Sequence, residues 1–390
     1  MAVPLFFMKV LSLFSNAGFG EFYLRDHGFD VVVANELLLD RVEFYSKFNP
    51  DTKSVICGDI CQQNTQNKII KSCEDFGPID LVIATPPCQG MSIANAQRET
   101  NDVRNKLIVH AMNIFNKVGA RYMLIENVPG MINTYINYKR KPIKIIDFIK
   151  SKLPENFTCR AKVLNGKHFG TAQSRSRSIC LISPNGEWKH PIAEEKVLTL
   201  RDAIGDHFEF PTLESGQHSS LPWHFAPKHN ARHIQWMSAT PEGETAFNNK
   251  VHYPQKDGRK ISGFKTTYKR MSWGDPAPTV TMTNGSISSQ NNVHPGYLLP
   301  SGLQSNARVL TIREILSICG LPTDCLDKFC DLNQDGSYTY HYRPNFIRKI
   351  LGELFLPKMC LSILKSLPDT NEIKTNNPLN GDSQLEFHYD

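Results

Sequence analysis

The residue best placed to do chemistry is Cys88, in Ala84-Thr85-Pro86-Pro87-Cys88-Gln89-Gly90-Met91-Ser92. An apolar strand runs into this segment, and two prolines turn the chain out of the strand in a fixed direction. A thiol at a strand's carboxyl end, on a stiff backbone and near free amides, is set up as a nucleophile. A second group follows at another strand end, Ile125-Glu126-Asn127-Val128-Pro129-Gly130. Beside a thiol in a pocket, Glu126 would act as an acid or a hydrogen-bond partner. A third is Gln173-Ser174-Arg175-Ser176-Arg177. On an extended segment the two arginines share a face, and such a pair suits a phosphate or a base carbonyl.

Those groups need a scaffold that brings strand ends together. Apolar runs at residues 9–14, 30–34, 54–57, 79–84, 122–125 and 179–182 read as strands. Helical patterns separate them: one from about Glu21, others over 107–118 and 143–152. This alternation predicts an α/β fold with a parallel sheet covered on both faces, whose ligands sit beyond the carboxyl ends of the strands. The first strand enters a turn, Phe14-Ser15-Asn16-Ala17-Gly18-Phe19-Gly20, that lets backbone approach a nucleotide-like ligand. Glu36 after the second strand is placed to accept ribose hydroxyls. Asp59 after the third can receive an adenine amino group.

The character changes after about Gly186. Residues 186–305 are rich in Gly, Pro, Ser, Asn and Thr, and hold all four tryptophans. They read as a second, loop-rich unit. Helical periodicity returns from Arg308, with one helix containing an internal proline expected over 347–367 and a polar tail after Pro368. The predicted division is a catalytic unit over 1–185, completed by 340–390, and a recognition unit over 186–339.

Composition sets wider bounds. With 390 residues, 40% hydrophobic and 21% charged, the chain can bury a large core. No run is long and apolar enough to cross a bilayer, and residues 1–10 lack a secretory pattern. The ten cysteines have no paired spacing of the kind that binds zinc, so no metal is expected and the thiols are read as free, in a reducing cytosol. A net charge of +6 is a weak pointer to nucleic acid.

Taken in order, the motifs resemble those of the DNA cytosine-5 methyltransferase family, bacterial modification-enzyme type. The first turn is similar to the family's cofactor turn, the Cys88 segment to its nucleophile loop, and the Glu126 segment to its glutamate motif. Gln173–Arg177 resembles its Gln-x-Arg-x-Arg, and Asp102-Val103-Arg104-Asn105-Lys106-Leu107 the segment that closes the nucleophile loop. Arg308 to Pro322 and Gly352-Glu353-Leu354-Phe355-Leu356-Pro357 resemble the last two motifs. Asn16 and Phe19 stand where the family has glycines, and Glu353 where it has asparagine.

The resemblance implies a Rossmann-like methyltransferase domain, with S-adenosylmethionine as methyl donor and duplex DNA as partner. Cys88 would add to C6 of a flipped-out cytosine, Glu126 would hold N3, and Arg177 would reach the carbonyl or a phosphate with Arg175 in support. Phe14 would stack on adenine, Glu36 would bind ribose and Asp59 the amino group. Ser15, Asn16, Ala17, Gly18, Ile60, Pro86 and Glu353 would complete the cofactor site. Gln89, Ser92, Arg104, Lys228, Arg232, Lys269 and Arg270 are the expected DNA contacts, with His229, His233 and Lys265 as further candidates and 279–292 as a loop for the major groove. The chain is expected to be a bacterial, cytoplasmic monomer, with any cognate restriction endonuclease acting separately. Two alternatives carry similar motifs: an RNA cytosine-5 methyltransferase of the same fold, and a silent DNA-binding homologue.

Overall fold

Hydrophobic alternation along five runs builds the centre of the molecule. In the computed structural model, which describes residues 7–87, 107–139, 141–205 and 210–368, these runs are β1 (Met8–Leu13), β2 (Phe29–Glu36), β3 (Ser54–Cys57), β4 (Leu81–Ala84) and β5 (Tyr122–Asn127). They pair in parallel, and β1 sits between β2 and β4. Two longer strands, β6 (Phe157–Asn165) and β7 (Ser176–Pro184), extend the sheet: β7 pairs antiparallel with β5, and β6 pairs antiparallel with β7 and so runs in the direction of β1–β5, giving the order β3-β2-β1-β4-β5-β7-β6. β6 was not expected from sequence. Its exposed edge carries alternating polar residues, with no apolar run to signal it.

Side chains alternate faces along each strand. Leu81 and Ile83 point into one core cluster, and Val82 and Ala84 into the other. The second cluster is covered by α2 (Gln63–Phe76), α3 (Leu107–Val118) and α4 (Ile145–Ser151). The first is covered by α1 (Leu39–Phe48) and by elements from the far end of the chain: α7 (Ile312–Ile318), α8 (Pro344–Glu353) and α9 (Pro357–Leu364). Between α4 and α7 lie the short helices α5 (Leu200–Ile204) and α6 (Ala231–Ser238). Trp188, Trp223, Trp273, Leu310 and Leu326 belong to that same cluster, and only a small separate core gathers around Trp236, Met237 and Val293.

Two expectations are corrected. No α-helix starts at Glu21; the segment forms single 3-10 turns at Phe19–Glu21 and Arg25–His27, because Gly18 and Gly28 take left-handed conformations at their boundaries. The single helix over 347–367 is two helices. Pro357 cannot continue α8 and instead opens α9, leaving Leu354 to Leu356 as an extended link against the first turn.

Candidate active site

The strand order reverses between β1 and β4, so their connections leave in opposite directions and open a crevice at the carboxyl ends. A cleft lies there, lined by Ser12, Ser15, Asn16, Glu21, Ile83 and Thr85, and closed by Glu353 at the end of α8 and Phe355 of the α8–α9 link.

The β1 turn is held from three sides. Phe14 takes φ 59° and its carbonyl accepts the Thr85 hydroxyl at 2.9 Å. Ser15 N–H donates to the Asn35 carbonyl. Asn16, at φ 50°, donates its N–H to Glu36 Oε2 at 3.0 Å; asparagine tolerates this left-handed conformation where the resembling family has glycine. Glu36, at the end of β2, also accepts the Leu38 N–H through Oε1. Ala17 and Ile60 are buried, and Asp59 Oδ1 caps the Cys61 N–H. Glu36 and Asp59 are thus fixed acceptors at neighbouring strand ends. With the cleft beside them they fit a nucleoside carrying an amino-acid tail. Leu37, between them, is 58% exposed.

At the next strand ends, Glu126 is 8% exposed, and Arg177 Nε lies 2.8 Å from its Oε1. The antiparallel register sets Ile179 opposite Glu126, which brings Arg177 just beyond the end of β5. Asn127 donates Nδ2 to the Pro86 carbonyl at 3.0 Å, tying the Pro86-Pro87 exit from β4 to β5. This pin was missed by sequence. Ser178 donates to the carbonyl of Val128 and anchors the turn after Glu126. Cys88 follows Pro87 directly, but it lies outside the described residues, as do Gln89, Ser92 and Arg104.

Other expected site residues are placed differently. Arg175 does not share a face with Arg177. It falls in the break between β7 and a two-residue strand, Gln173–Ser174, that pairs with Ala277–Pro278. Its guanidinium donates to the carbonyls of Val280 and Gly352, so it supports the site by holding two segments together. Arg270, expected on DNA, has 0% exposure and donates to the carbonyls of Met237, His294, Pro295 and Asn306. That expectation is corrected: a guanidinium enclosed by carbonyls cannot reach a phosphate. Lys228 and Arg232 are exposed and Lys269 is half-buried. His229 accepts the Val309 N–H, and burial lowers its pKa to about 4. His233 packs against Trp236 and Tyr268. The segment 279–292 is exposed at Met282, Thr283, Ser286 and Ser288, yet Asn284 fastens it to α8 through the Arg348 carbonyl. Glu353 pairs with Arg41 of α1 at 2.5 Å. Among the described residues no cluster could hold a metal ion.

A seven-stranded sheet of this order, with a cleft at its reversal point and fixed acceptors at the ends of β2 and β3, defines a Rossmann-like methyltransferase. Comparison with known proteins narrows the class. The sequence profile of C-5 cytosine-specific DNA methylases matches residues 8–367. The chain is 38% identical to the Type II methyltransferase M1.HgaI of Avibacterium volantium, over 93% of this chain and 98% of that protein. It is 32% identical to M.FnuDI of Fusobacterium nucleatum over 51% and 55%. Among solved structures, Entamoeba histolytica methyltransferase EhMeth aligns with a TM-score of 0.58 at 15% identity, covering 94% of this chain and 99% of that one, which speaks to fold alone. The chain belongs to the C-5 cytosine-specific DNA methylase family. No helix among the described residues is long and apolar enough to cross a membrane.

Proposed function

We propose that this DNA cytosine-5 methyltransferase modifies a cytosine flipped out of duplex DNA through a covalent adduct with Cys88, as the modification enzyme of a Type II restriction-modification system. The observation that carries the reading is the Glu126–Arg177 pair, 2.8 Å apart at the end of β5, beside the strand exit that leads into Cys88. Cytosine C5 is a poor nucleophile. Addition of the Cys88 thiolate at C6 makes C5 electron-rich. Glu126 would hold and protonate N3 as charge develops there, and Arg177 would fix the Glu126 carboxylate and reach the base carbonyl. Once C5 carries the methyl group, transfer of the C5 proton to a base, return of the N3 proton to Glu126 and expulsion of the thiolate restore Cys88. When bound, S-adenosylmethionine supplies the methyl group that C5 takes up. Its nucleoside would lie against Glu36, Asp59, Ile60 and Leu37, and its amino-acid end in the cleft at Ser15 to Gly18 and Glu353.

The target atom is enclosed in a duplex, so the base must leave the stack. Residues 186–339 would form the recognition unit, with Lys228, Arg232 and Lys269 on phosphates and Gln89, Ser92 and Arg104 closing over the flipped base. Residues 1–185 and 340–390 would form the catalytic unit. The relatives named as Type II methyltransferases come from bacteria, which supports a bacterial setting; in this reading the enzyme is a cytoplasmic monomer that acts independently of any partner nuclease.

The test is covalent trapping. Wild type and Cys88→Ser are incubated with S-adenosylmethionine and either duplex DNA or RNA carrying 5-fluorocytosine. A denaturant-stable adduct on DNA with wild type alone is expected. An adduct only on RNA would redirect the substrate, and no adduct on either would favour a silent DNA-binding homologue.

A further inference from the structure

The cleft at the ends of β1 and β4 holds an acid that the proposed methylation chemistry does not use. Glu21 lines it, together with Ser12, Ser15, Asn16, Thr85 and Glu353. Its carboxylate accepts hydrogen bonds from the Ser12 hydroxyl of β1 and the Tyr45 hydroxyl of α1, and Thr52 lies 3.3 Å behind Tyr45. These contacts fix both oxygens, and each oxygen keeps a lone pair for a further donor. From α9 the neighbouring titratable group is the Cys360 thiol, which burial holds well above its ordinary pKa and so neutral. Glu353 closes the cleft paired with Arg41; burial raises its pKa and Glu36 adds to that, against the Arg41 and Lys349 cations. A second observation points to a ligand here. Asn16 Oδ1 is buried and has no hydrogen-bond partner among the described residues. The lining therefore offers carboxylates and an amide oxygen, all acceptors, to an incoming donor.

We propose that Glu21 is the counter-charge for the α-ammonium group of the methyl donor's amino-acid end, and that its ionisation sets how tightly that end is held. The inference rests on the cofactor reading above and assigns a residue within it. The nucleoside is gripped at the ends of β2 and β3, so the tail extends over β1 and β4, where the acids lie. A cationic ligand there favours ionised Glu21. Burial pushes the Glu21 pKa up to about 7, against the two hydroxyl hydrogen bonds that lower it. Above that pH the carboxylate is ready, and below it the ligand must displace a proton, so tail binding weakens as pH falls.

Two probes separate tail from nucleoside. S-adenosylhomocysteine carries the amino-acid end, and 5′-methylthioadenosine lacks it. Their affinities are measured by calorimetry on the full chain from pH 6 to 8. Wild type should bind S-adenosylhomocysteine at least about tenfold more tightly than 5′-methylthioadenosine at pH 8, as a charge-assisted contact in a partly buried site requires. That preference should fall by up to about tenfold per unit below pH 7, while 5′-methylthioadenosine stays level. Glu21→Gln should cut the preference about tenfold, remove its pH dependence and leave 5′-methylthioadenosine affinity unchanged. An equal preference in wild type and Glu21→Gln, or a wild-type preference flat from pH 6 to 8, would overturn the assignment of Glu21 alone. Failure of S-adenosylhomocysteine to bind wild type would overturn the cofactor reading, and this inference with it. Should Glu21→Gln not fold, the wild-type pH series decides by itself.

Discussion

At the scale of single residues, the site depends on which groups hold which. Arg177 touches Glu126 directly, whereas Arg175 acts at a distance through the carbonyls of Val280 and Gly352. Removing the acid should therefore cost chemistry and spare the fold. Glu126→Gln is expected to slow methyl transfer by roughly 10²–10⁴-fold, in the range of a positioned acid–base group, with DNA affinity and melting temperature little changed. Because Arg177 orients the same carboxylate, Arg177→Ala combined with Glu126→Gln should be far less than additive in single-turnover rate. Full additivity would show that the pair does not act as a unit.

At the scale of elements, the β1 turn packs closely on Phe355 of the α8–α9 link at Gly20 and on the end of α1 at Gly18. Gly18 sits at φ +75°, where an added Cβ would lie 2.0 Å from Asn49 Nδ2 and 2.7 Å from the Tyr45 ring. Asn49 can move, but Tyr45 is fully buried and bonded to Glu21. Gly18→Ala should destabilise the chain by about 1–3 kcal/mol, the usual cost of a strained backbone position, and weaken S-adenosylhomocysteine binding. Chemical denaturation with parallel binding measurements checks both effects, and an unstrained, fully binding variant would refute this account of the turn. Helix α7 is secured differently, by a capping box between Thr311 and Glu314. Burial alone would raise the Glu314 pKa; the Arg308 guanidinium, bonded to both its oxygens, reverses that and holds it well below the usual carboxylate range.

At the scale of the whole molecule, buried arginines tie distant segments together, while Lys228 and Arg232 stay exposed. Arg270, Arg308 and Arg348 are all buried and donate to backbone carbonyls. Arg270→Ala should destabilise the fold by several kcal/mol, because it leaves buried carbonyls without donors at about 1–3 kcal/mol each, and any loss of DNA binding should track unfolding. Lys228→Ala and Arg232→Ala should leave the melting temperature unchanged. Each should weaken DNA binding across sequences and reduce the salt slope by about 1 if it meets a phosphate. Salt-dependent binding isotherms beside thermal melts distinguish the two classes. A stable Arg270→Ala with a reduced salt slope would return Arg270 to the DNA surface.

Local sequence determined much of this protein. Strands β3 and helix α3 were legible to the residue, since apolar periodicity within one segment reports the face it must bury. The strand-end positions of Glu36, Asp59 and Glu126 followed from the same periodicity, and the order of motifs identified the family. Tertiary structure alone decided what each cation does. Nothing in Gln173–Arg177 shows that one arginine meets Glu126 while the other meets carbonyls more than a hundred residues away, because the strand break that parts them is created by pairing with Ala277–Pro278. Likewise Arg41 and Glu353, Asn127 and Pro86, and the enclosure of Arg270 are contacts between distant segments. Burial and partners are set by where those segments meet, a property the local pattern of residues does not carry.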